Sequence, residues 1–173
     1  VELLKLERSR GHIVTFCSEL DRILGGGVPL SKMTEFCGAP GIGKTQLAIQ
    51  LCVNVQIPAA ADGMAGEAVY VDTEGSFVPE RALDMAEALV THLGRLAGVS
   101  GVACSTSREI LARIHYFRVH TYLEQLAVLQ TLEKLLLANG NIRVIVIDSV
   151  AFHFRRDFDD MVLRTRLLNG MAQ

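Results

Sequence analysis

The sequence predicts an α/β fold in which a mostly parallel sheet carries helices on both faces. Apolar segments of strand length alternate along the 173 residues with longer segments of helical periodicity, which is typical of βαβ units. Hydrophobic residues make up 50% of the chain but aromatic residues only 6%, which favours an aliphatic layered core over an all-β sandwich. We assign residues 1–17 to a linker or N-terminal extension and residues 18–173 to one domain.

The first predicted elements are a helix, a strand and a second helix. Ser18–Leu24 has a helical pattern with Ser18 as its N-cap, and a run of glycines follows it. Met33–Cys37 predicts the first core strand, and Thr45–Val55 predicts an amphipathic helix. A glycine-rich loop therefore joins this strand to this helix.

The later elements continue the alternation. Three apolar segments are short enough to be strands, and they are Ala68–Asp72, Ile114–Val119 and Val144–Asp148. The last is a continuous apolar run, which predicts a strand buried in a parallel sheet. Pro79–Ala97 predicts a helix with one apolar face, and Gly98–Ser107 predicts a surface loop. A further helix ends near Gly140, and its core-facing stripe is expected to be Leu123, Leu126, Leu129, Leu132, Leu135 and Leu136.

The loop after the first strand carries the most specific motif. It matches G-x-x-x-x-G-K-[ST] with Gly38, Ala39, Pro40, Gly41, Ile42, Gly43, Lys44 and Thr45. Glycines in such a loop let backbone N–H groups approach a phosphate chain, and the helix that follows points its positive end at the anion. Lys44 would reach the outer phosphates, and Thr45 would offer its hydroxyl to magnesium. A purely structural glycine turn is the alternative, and the strand–loop–helix context argues against it.

Two carboxylates follow predicted strands and could complete a nucleotide site. Asp148 ends the fourth strand, where ligands bind in open α/β sheets, and it could hold the hydration shell of magnesium. Glu74 follows the second strand and could orient a water molecule for attack on the outer phosphate. The structural alternatives are a turn residue for Asp148 and a helix cap or an arginine partner for Glu74.

Arginines are concentrated after Asp148. Arg155 and Arg156 are flanked by phenylalanines, and Arg164 and Arg166 follow on a predicted helix or loop. Arginine beside exposed aromatic rings suits phosphate contact and base stacking in single-stranded nucleic acid. Acidic residues are interspersed, so a solvated, salt-bridged surface explains the pattern equally well.

Net charge, the length of apolar runs and cysteine content argue against several kinds of protein and of binding site. The net charge of −2 gives no global attraction to nucleic acid or to a membrane, so any DNA contact needs a local patch. No apolar run reaches transmembrane length. Cys17, Cys37, Cys52 and Cys104 form no C-x-x-C pair and have no histidine at ligand spacing, so we expect buried thiols and no zinc site. Such cysteines are typical of a reducing, intracellular compartment.

Taken together, the motifs resemble the ATPase core of the RecA-like recombinases. The residues that carry the resemblance are 20–29, 34–35, 38–46, 71–77 and 146–149. The eukaryotic branch, with its recombinase paralogues, is the more similar on residues 29–41, 55–58 and 163–170. The resemblance runs from about His12 to the last residue. It implies a P-loop nucleotide triphosphatase core that binds ATP and Mg²⁺.

The resemblance also implies roles for single residues. Gln46 would join the ATP-binding loop, and Lys44 would act with Glu74 in hydrolysis. Thr45 and Asp148 would hold Mg²⁺, Arg81 would pack on the adenine, and residues 159–166 would correspond to the first DNA-binding loop. Several family elements are expected beyond Gln173, among them a strand at the centre of the sheet. We therefore expect this chain alone to be poorly stable and to hydrolyse ATP weakly or not at all.

At the level of the cell, the resemblance implies homologous-recombination repair of DNA double-strand breaks in the nucleus, with room for a cytoplasmic pool. Partners would be other recombinase paralogues together with single-stranded and branched DNA, and no membrane. One alternative is a non-hydrolysing scaffold in which bound ATP orders an interface between subunits. A small-molecule or nucleotide kinase uses the same loop, but the sequence after Asp72 shows no sign of an acceptor pocket.

Overall fold

A computed structural model describes residues 11–100 and 105–171. Its strands are β1 (His12–Ile13), β2 (Val28–Pro29), β3 (Glu67–Asp72), β4 (Ile114–Arg118) and β5 (Ile142–Asp148). Its α-helices are α1 (Ser18–Ile23), α2 (Lys44–Asn54), α3 (Pro79–Ser100), α4 (Ser107–Ala112), α5 (Tyr122–Ala138), α6 (Phe152–Asp157) and α7 (Met161–Met171). Among the described residues, no helix has both the length and the apolar character that a membrane crossing requires.

The main sheet is parallel and has the strand order β4-β3-β5. The register pairs Tyr70 with Tyr116 on one side and with Val146 on the other, and it pairs Asp72 with Asp148. Because the carboxyl ends of parallel strands meet at one edge, the residues after β3 and β5 lie side by side.

Helices cover both faces of this sheet. On one face α2, α3 and α4 bury Ile49, Ala86, Ile110 and their neighbours against Ala68 and Tyr70. On the other face α5 packs Leu132 against Val69 and Val71. The expected α/β fold is confirmed, since continuously apolar strands need cover on both sides.

A short antiparallel pair lies beside the main sheet and was not predicted. β1 and β2 pair His12 with Pro29 and Ile13 with Val28, so that Ile13 is buried although it lies in the range expected to be a linker. Gly27 makes the pairing possible. Its φ is +127°, and a Cβ there would lie 2.5 Å from the carbonyl oxygen of Ile13.

The predicted strand Met33–Cys37 is wrong, because this segment is not in a strand. Met33 is 92% exposed, and no strand among the described residues lies beside the segment to form a ladder. β5 was predicted to be buried in a parallel sheet, and the structure buries it only in part. Within the described sheet β5 has a neighbour on only one side, and Ile145 is 37% exposed.

Other predictions failed in detail. The N-cap of α1 is Cys17 rather than Ser18, and no side-chain hydrogen bond caps the helix. The expected loop Gly98–Ser107 is shorter, since α3 continues to Ser100 and Ser107 begins α4, while residues 101–104 lie outside the described residues.

The leucine stripe and the cysteines also differ from expectation. Leu123 and Leu136 of the predicted stripe are exposed, because α5 turns only one side to the sheet. Cys52 is buried as expected, and burial raises the pKa of its thiol far above the ordinary value. Cys17 and Cys37 are exposed, however, and Cys104 lies outside the described residues.

Candidate nucleotide-binding site

The glycine-rich loop leads directly into α2. Gly41 and Gly43 have φ values of +82° and +97°, which favour glycine, and Gly43 is the N-cap residue of α2. The ammonium group of Lys44 donates to the carbonyl oxygens of Gly38 and Ala39, at 2.9 Å each. The lysine thus folds back over its own loop, where a phosphate chain would compete with the two carbonyl groups for the same cation.

Thr45 and Asp148 meet across the site. Thr45 is in the first turn of α2, and Asp148 is the last residue of β5. The hydroxyl of Thr45 donates to Oδ2 of Asp148 over 2.7 Å, and the hydroxyl of Tyr70 donates to the same oxygen over 2.8 Å. Sequence reasoning proposed the first pair, but it missed Tyr70, because nothing in a strand pattern marks a core tyrosine as a partner of an aspartate.

Glu74 lies beside the same strand end. Its Oε1 accepts a 2.7 Å hydrogen bond from the hydroxyl of Ser149, the residue after Asp148. Thr73 fixes Ser149 from the other side, since its hydroxyl donates to the carbonyl of Ser149 and accepts from the backbone N–H of Ser149, at 2.9 Å and 2.8 Å. The two acids that the sequence singled out therefore lie at the same edge of the sheet as Lys44.

Asp72 organises the turn that carries Glu74. Its buried carboxylate accepts hydrogen bonds from the backbone N–H groups of Glu74, Gly75 and Ser76 at Oδ1 and of Phe77 at Oδ2. Tyr116 adds its hydroxyl at 2.9 Å. Burial by itself would raise the pKa of Asp72, but these hydrogen bonds outweigh it and hold the pKa below the ordinary value. The sequence offered a signal here, an aspartate before a glycine turn, that was not used.

Arg81 contacts the loop from α3. Its Nε donates to Oε1 of Gln46 over 2.9 Å, and its Nη1 lies 3.4 Å from Oδ2 of Asp84. A cavity of about 420 Å³ is lined by Arg81 and Asp84 and extends along α3 toward Phe16 and His92. The predicted partners Gln46 and Arg81 are thus brought together at the edge of the loop.

The four predicted DNA-binding arginines differ in exposure and in the hydrogen bonds that their guanidinium groups make. Arg155 and Arg166 are exposed. Arg156 bonds to Asp157 and to the carbonyl of His120, at 2.7 Å and 3.0 Å. Arg164 donates to the carbonyl of Phe158 over 3.1 Å. The group is therefore not one uniform basic surface.

The surroundings of these arginines limit which aromatic rings could stack on a base. Phe154 is fully buried and packs on Tyr122, so it cannot stack on a base. The segment 159–166, for which a helix or loop was predicted, is largely helical, because α7 begins at Met161 and Asp160 accepts hydrogen bonds from the N–H groups of Val162 and Leu163.

The residues present fit a magnesium–nucleotide ligand. A threonine hydroxyl and a carboxylate at 2.7 Å supply the hard oxygen atoms that magnesium prefers, next to a lysine and a helix N-terminus suited to phosphates. Magnesium usually keeps waters and phosphate oxygens as its remaining ligands. No group of three or more His, Cys, Asp or Glu side chains that could hold a metal occurs in the described part of the chain.

The sequence of residues 8–168 matches the profile of the Rad51 family. The chain belongs to the Rad51 family. This match confirms the resemblance to RecA-like recombinases, and it covers the loop, both carboxylates and the four arginines.

Individual relatives agree with the Rad51 assignment. DNA repair protein RAD51 homolog 3 of Cricetulus griseus is 49% identical over 180 aligned residues, which cover 100% of this chain and 49% of the relative. The protein of the same name in Dictyostelium discoideum is 43% identical, with 99% of this chain and 46% of the relative covered. DNA repair and recombination protein RadA of Aeropyrum pernix is 38% identical, and the alignment covers 91% of this chain and 46% of the relative. The chain thus spans about half the length of these relatives.

Proposed function

We propose that this Rad51-family chain is the nucleotide-binding part of an ATP-dependent recombination protein that acts in the repair of DNA double-strand breaks and in junction processing. The observation that carries the proposal is the 2.7 Å hydrogen bond between Thr45 and Asp148, directly beside Lys44. A phosphate-loop hydroxyl and a strand-end carboxylate at this distance are the two protein ligands that a magnesium–ATP complex needs.

In this proposal each residue has a defined task. The N-terminus of α2 and Lys44 bind the phosphates, and Thr45 and Asp148 hold Mg²⁺. When bound, the metal supplies charge neutralisation between the outer phosphates. Gly38 to Gln46 form the rest of the ATP-binding loop, and Arg81, tied to Gln46, contacts the base side of the nucleotide.

Glu74 would act on water. Its carboxylate is exposed and held by Ser149, beside the strand end that carries Asp148. A carboxylate in that position can accept a proton from an attacking water molecule or orient it. Glu74 would thus be the general base of a DNA-dependent ATPase, with Lys44 stabilising charge on the transferred phosphate.

Two substitutions test the assignment. Lys44→Ala is expected to abolish ATP binding, because the loop loses its only cationic side chain. Glu74→Gln is expected to keep ATP binding and to stop turnover, because the amide cannot accept the proton. Binding of a fluorescent ATP analogue and phosphate release in the presence of single-stranded DNA would measure both. Unchanged hydrolysis by Glu74→Gln would end its catalytic assignment.

The wider function follows from the family and is part of the same proposal. Single-stranded and branched DNA would contact Arg155, Arg156, Arg164 and Arg166, and other recombinase paralogues would bind the chain in a hetero-oligomer. A protein that repairs chromosomal DNA would work in the nucleus, and a cytoplasmic pool is compatible with it.

A non-hydrolysing scaffold is the second candidate, and the exposed leucines of α5 favour it. Leu123, Leu136 and Leu137 are 71%, 39% and 82% exposed, and contact with a partner subunit would remove these apolar side chains from water. In a scaffold, Lys44→Ala would weaken assembly with paralogues, whereas Glu74→Gln would leave both assembly and repair unchanged. Loss of repair by Glu74→Gln would exclude this candidate.

A further inference from the structure

Tyr70 places a hydroxyl group at the candidate magnesium site from inside the core. It is the fourth residue of β3 and is fully buried, with 0% of its surface exposed. Its hydroxyl donates to Oδ2 of Asp148 over 2.8 Å. A buried tyrosine hydroxyl needs such a partner, since an unpaired polar group in the core is costly.

The sheet register explains how Tyr70 reaches Asp148. Tyr70 pairs with Val146, so Asp148 lies two positions further along the neighbouring strand on the same face. Diagonal neighbours of this kind are within reach of an aromatic side chain. The next strand repeats the arrangement, because Tyr116 pairs with Tyr70 and donates to Asp72 over 2.9 Å.

The ring of Tyr70 is held in place on its other side. Phe77 packs edge-on against it with the ring centroids 4.8 Å apart, and Tyr116 packs on Phe77 at 5.0 Å. Because Phe77 also donates its backbone N–H to Asp72, this stack is fixed to the turn that carries Glu74. The hydroxyl of Tyr70 therefore has little freedom to leave Asp148.

The oxygen Oδ2 of Asp148 accepts hydrogen bonds from the hydroxyl groups of Thr45 and Tyr70. A bound magnesium–nucleotide complex would affect these two donors differently. Thr45 is half-buried in the first turn of α2, and its hydroxyl is the group expected to turn toward magnesium. Tyr70 lies in the core and cannot follow. When Thr45 leaves, Tyr70 is the side chain that still fixes the rotamer of the carboxylate.

We propose that Tyr70 is a positioning residue that holds the Asp148 carboxylate ready for a magnesium–nucleotide complex. The inference rests on the proposed ATP-binding function and deepens it. Partners that hydrogen-bond a metal-binding side chain commonly contribute 10–100-fold to metal affinity. Tyr70 would make its contribution through Asp148 alone, without touching the nucleotide.

Tyr70→Phe tests this directly, because it removes the hydroxyl and keeps the ring that packs on Phe77. The dissociation constant of a fluorescent ATP analogue is measured by titration, once with magnesium and once with EDTA. We expect roughly tenfold weaker binding with magnesium and less than a twofold change with EDTA. Equal weakening in both conditions, or no weakening in either, would overturn the inference.

Two control variants remove a tyrosine hydroxyl elsewhere. Tyr122→Phe removes a hydroxyl in α5 and keeps the ring that packs on Phe154 and Phe158. Tyr116→Phe removes the equivalent hydrogen bond to Asp72. Both are expected to keep the wild-type ratio of the two dissociation constants. The same tenfold loss of magnesium-dependent affinity in either control would overturn a specific role for Tyr70.

The test also separates this inference from the proposed function. Absence of nucleotide binding by the wild-type protein would overturn both. Wild-type binding that depends on magnesium, together with an unaltered Tyr70→Phe variant, would overturn the positioning role alone. Thermal unfolding of each variant is measured without nucleotide. It shows whether each variant is folded under the conditions of the affinity measurement.

Discussion

The hydroxyl of Ser149 donates a 2.7 Å hydrogen bond to Oε1 of Glu74, and Ser149 directly follows Asp148 in the chain. The dipeptide 148–149 therefore contains one acidic residue of the site, Asp148, and contacts the other, Glu74. Any displacement of the end of β5 moves the partner of Glu74 together with Asp148, so the two carboxylates are expected to respond as a unit.

Ser149→Ala is expected to lower kcat for ATP hydrolysis about fivefold, because Glu74 loses a hydrogen bond of about 1 kcal/mol that fixes its orientation. KM for ATP should change less than twofold, since the hydroxyl of Ser149 is bonded to Glu74. Steady-state phosphate release measures both constants. Thr131→Ala is a matched control, because its hydroxyl bonds to Ala127 within α5. An unchanged kcat for Ser149→Ala would contradict the prediction.

Asp72 is expected to make stability depend on acid pH. Its pKa is lower in the folded chain than in the unfolded chain, so the folded form binds fewer protons. The stabilisation is fully present above the unfolded pKa of about 3.9 and is lost as the pH falls through the lowered folded pKa. Urea unfolding at pH values from 7 down to below 4 measures this loss.

Asp72→Asn is the matching variant. Its amide group would face backbone N–H donors that now meet a carboxylate, which should cost about 2–3 kcal/mol at neutral pH. The acid dependence of its unfolding free energy should be flatter than that of the wild type. A variant with wild-type acid dependence would show that other carboxylates are responsible.

Gly27→Ala is expected to destabilise the fold by at least about 2 kcal/mol, because the φ of +127° disfavours a side chain and the new Cβ would meet the backbone of Ile13. Gly94→Ala is the contrasting substitution. Gly94 lies in α3 with no atom within 4 Å of a built Cβ, so alanine should stabilise the helix by up to about 1 kcal/mol. Urea unfolding compares the two, and similar effects of both would contradict the strain at Gly27.

Arg155→Ala and Arg166→Ala are each expected to reduce the salt dependence of single-stranded DNA binding by about 0.7 in the log–log slope. Arg156→Ala should change it less, because that side chain already bonds to Asp157 and to His120. Fluorescence anisotropy at several salt concentrations measures the slope. Unchanged slopes for both exposed arginines would support the salt-bridged surface instead.

The residue pattern of the sequence predicted those strands and helices whose burial leaves a regular apolar spacing. The apolar runs of β3 and β5 and the spacing of Ala82 and Leu89 identified strands and a helix correctly, because burial imposes a period of 2 or 3.6 on the sequence. Met33–Cys37 has the composition of a strand but no neighbour in the described sheet, and composition alone does not reveal whether a neighbour is present.

The site shows the same division. The phosphate-loop motif and the strand-end position predicted Lys44, Thr45 and Asp148 as site residues, and the structure brings the side chains of Thr45 and Asp148 within 2.7 Å of each other. The bonds from Tyr70 to Asp148 and from Tyr116 to Asp72 depend on the register between strands. Register is a property of the assembled sheet, so a single sequence could not supply these contacts.

Thr45 and Asp148 are 103 positions apart in the chain, yet their side chains share a hydrogen bond. Two residues so far apart in sequence come together when the chain folds, so the pair belongs to the folded state. A nucleotide that needs both residues would bind the native chain and leave the unfolded chain alone. At a hundred times its dissociation constant, such a ligand would add about 2.7 kcal/mol to stability by mass action. Under the proposed function, ATP would then also stabilise the folded chain.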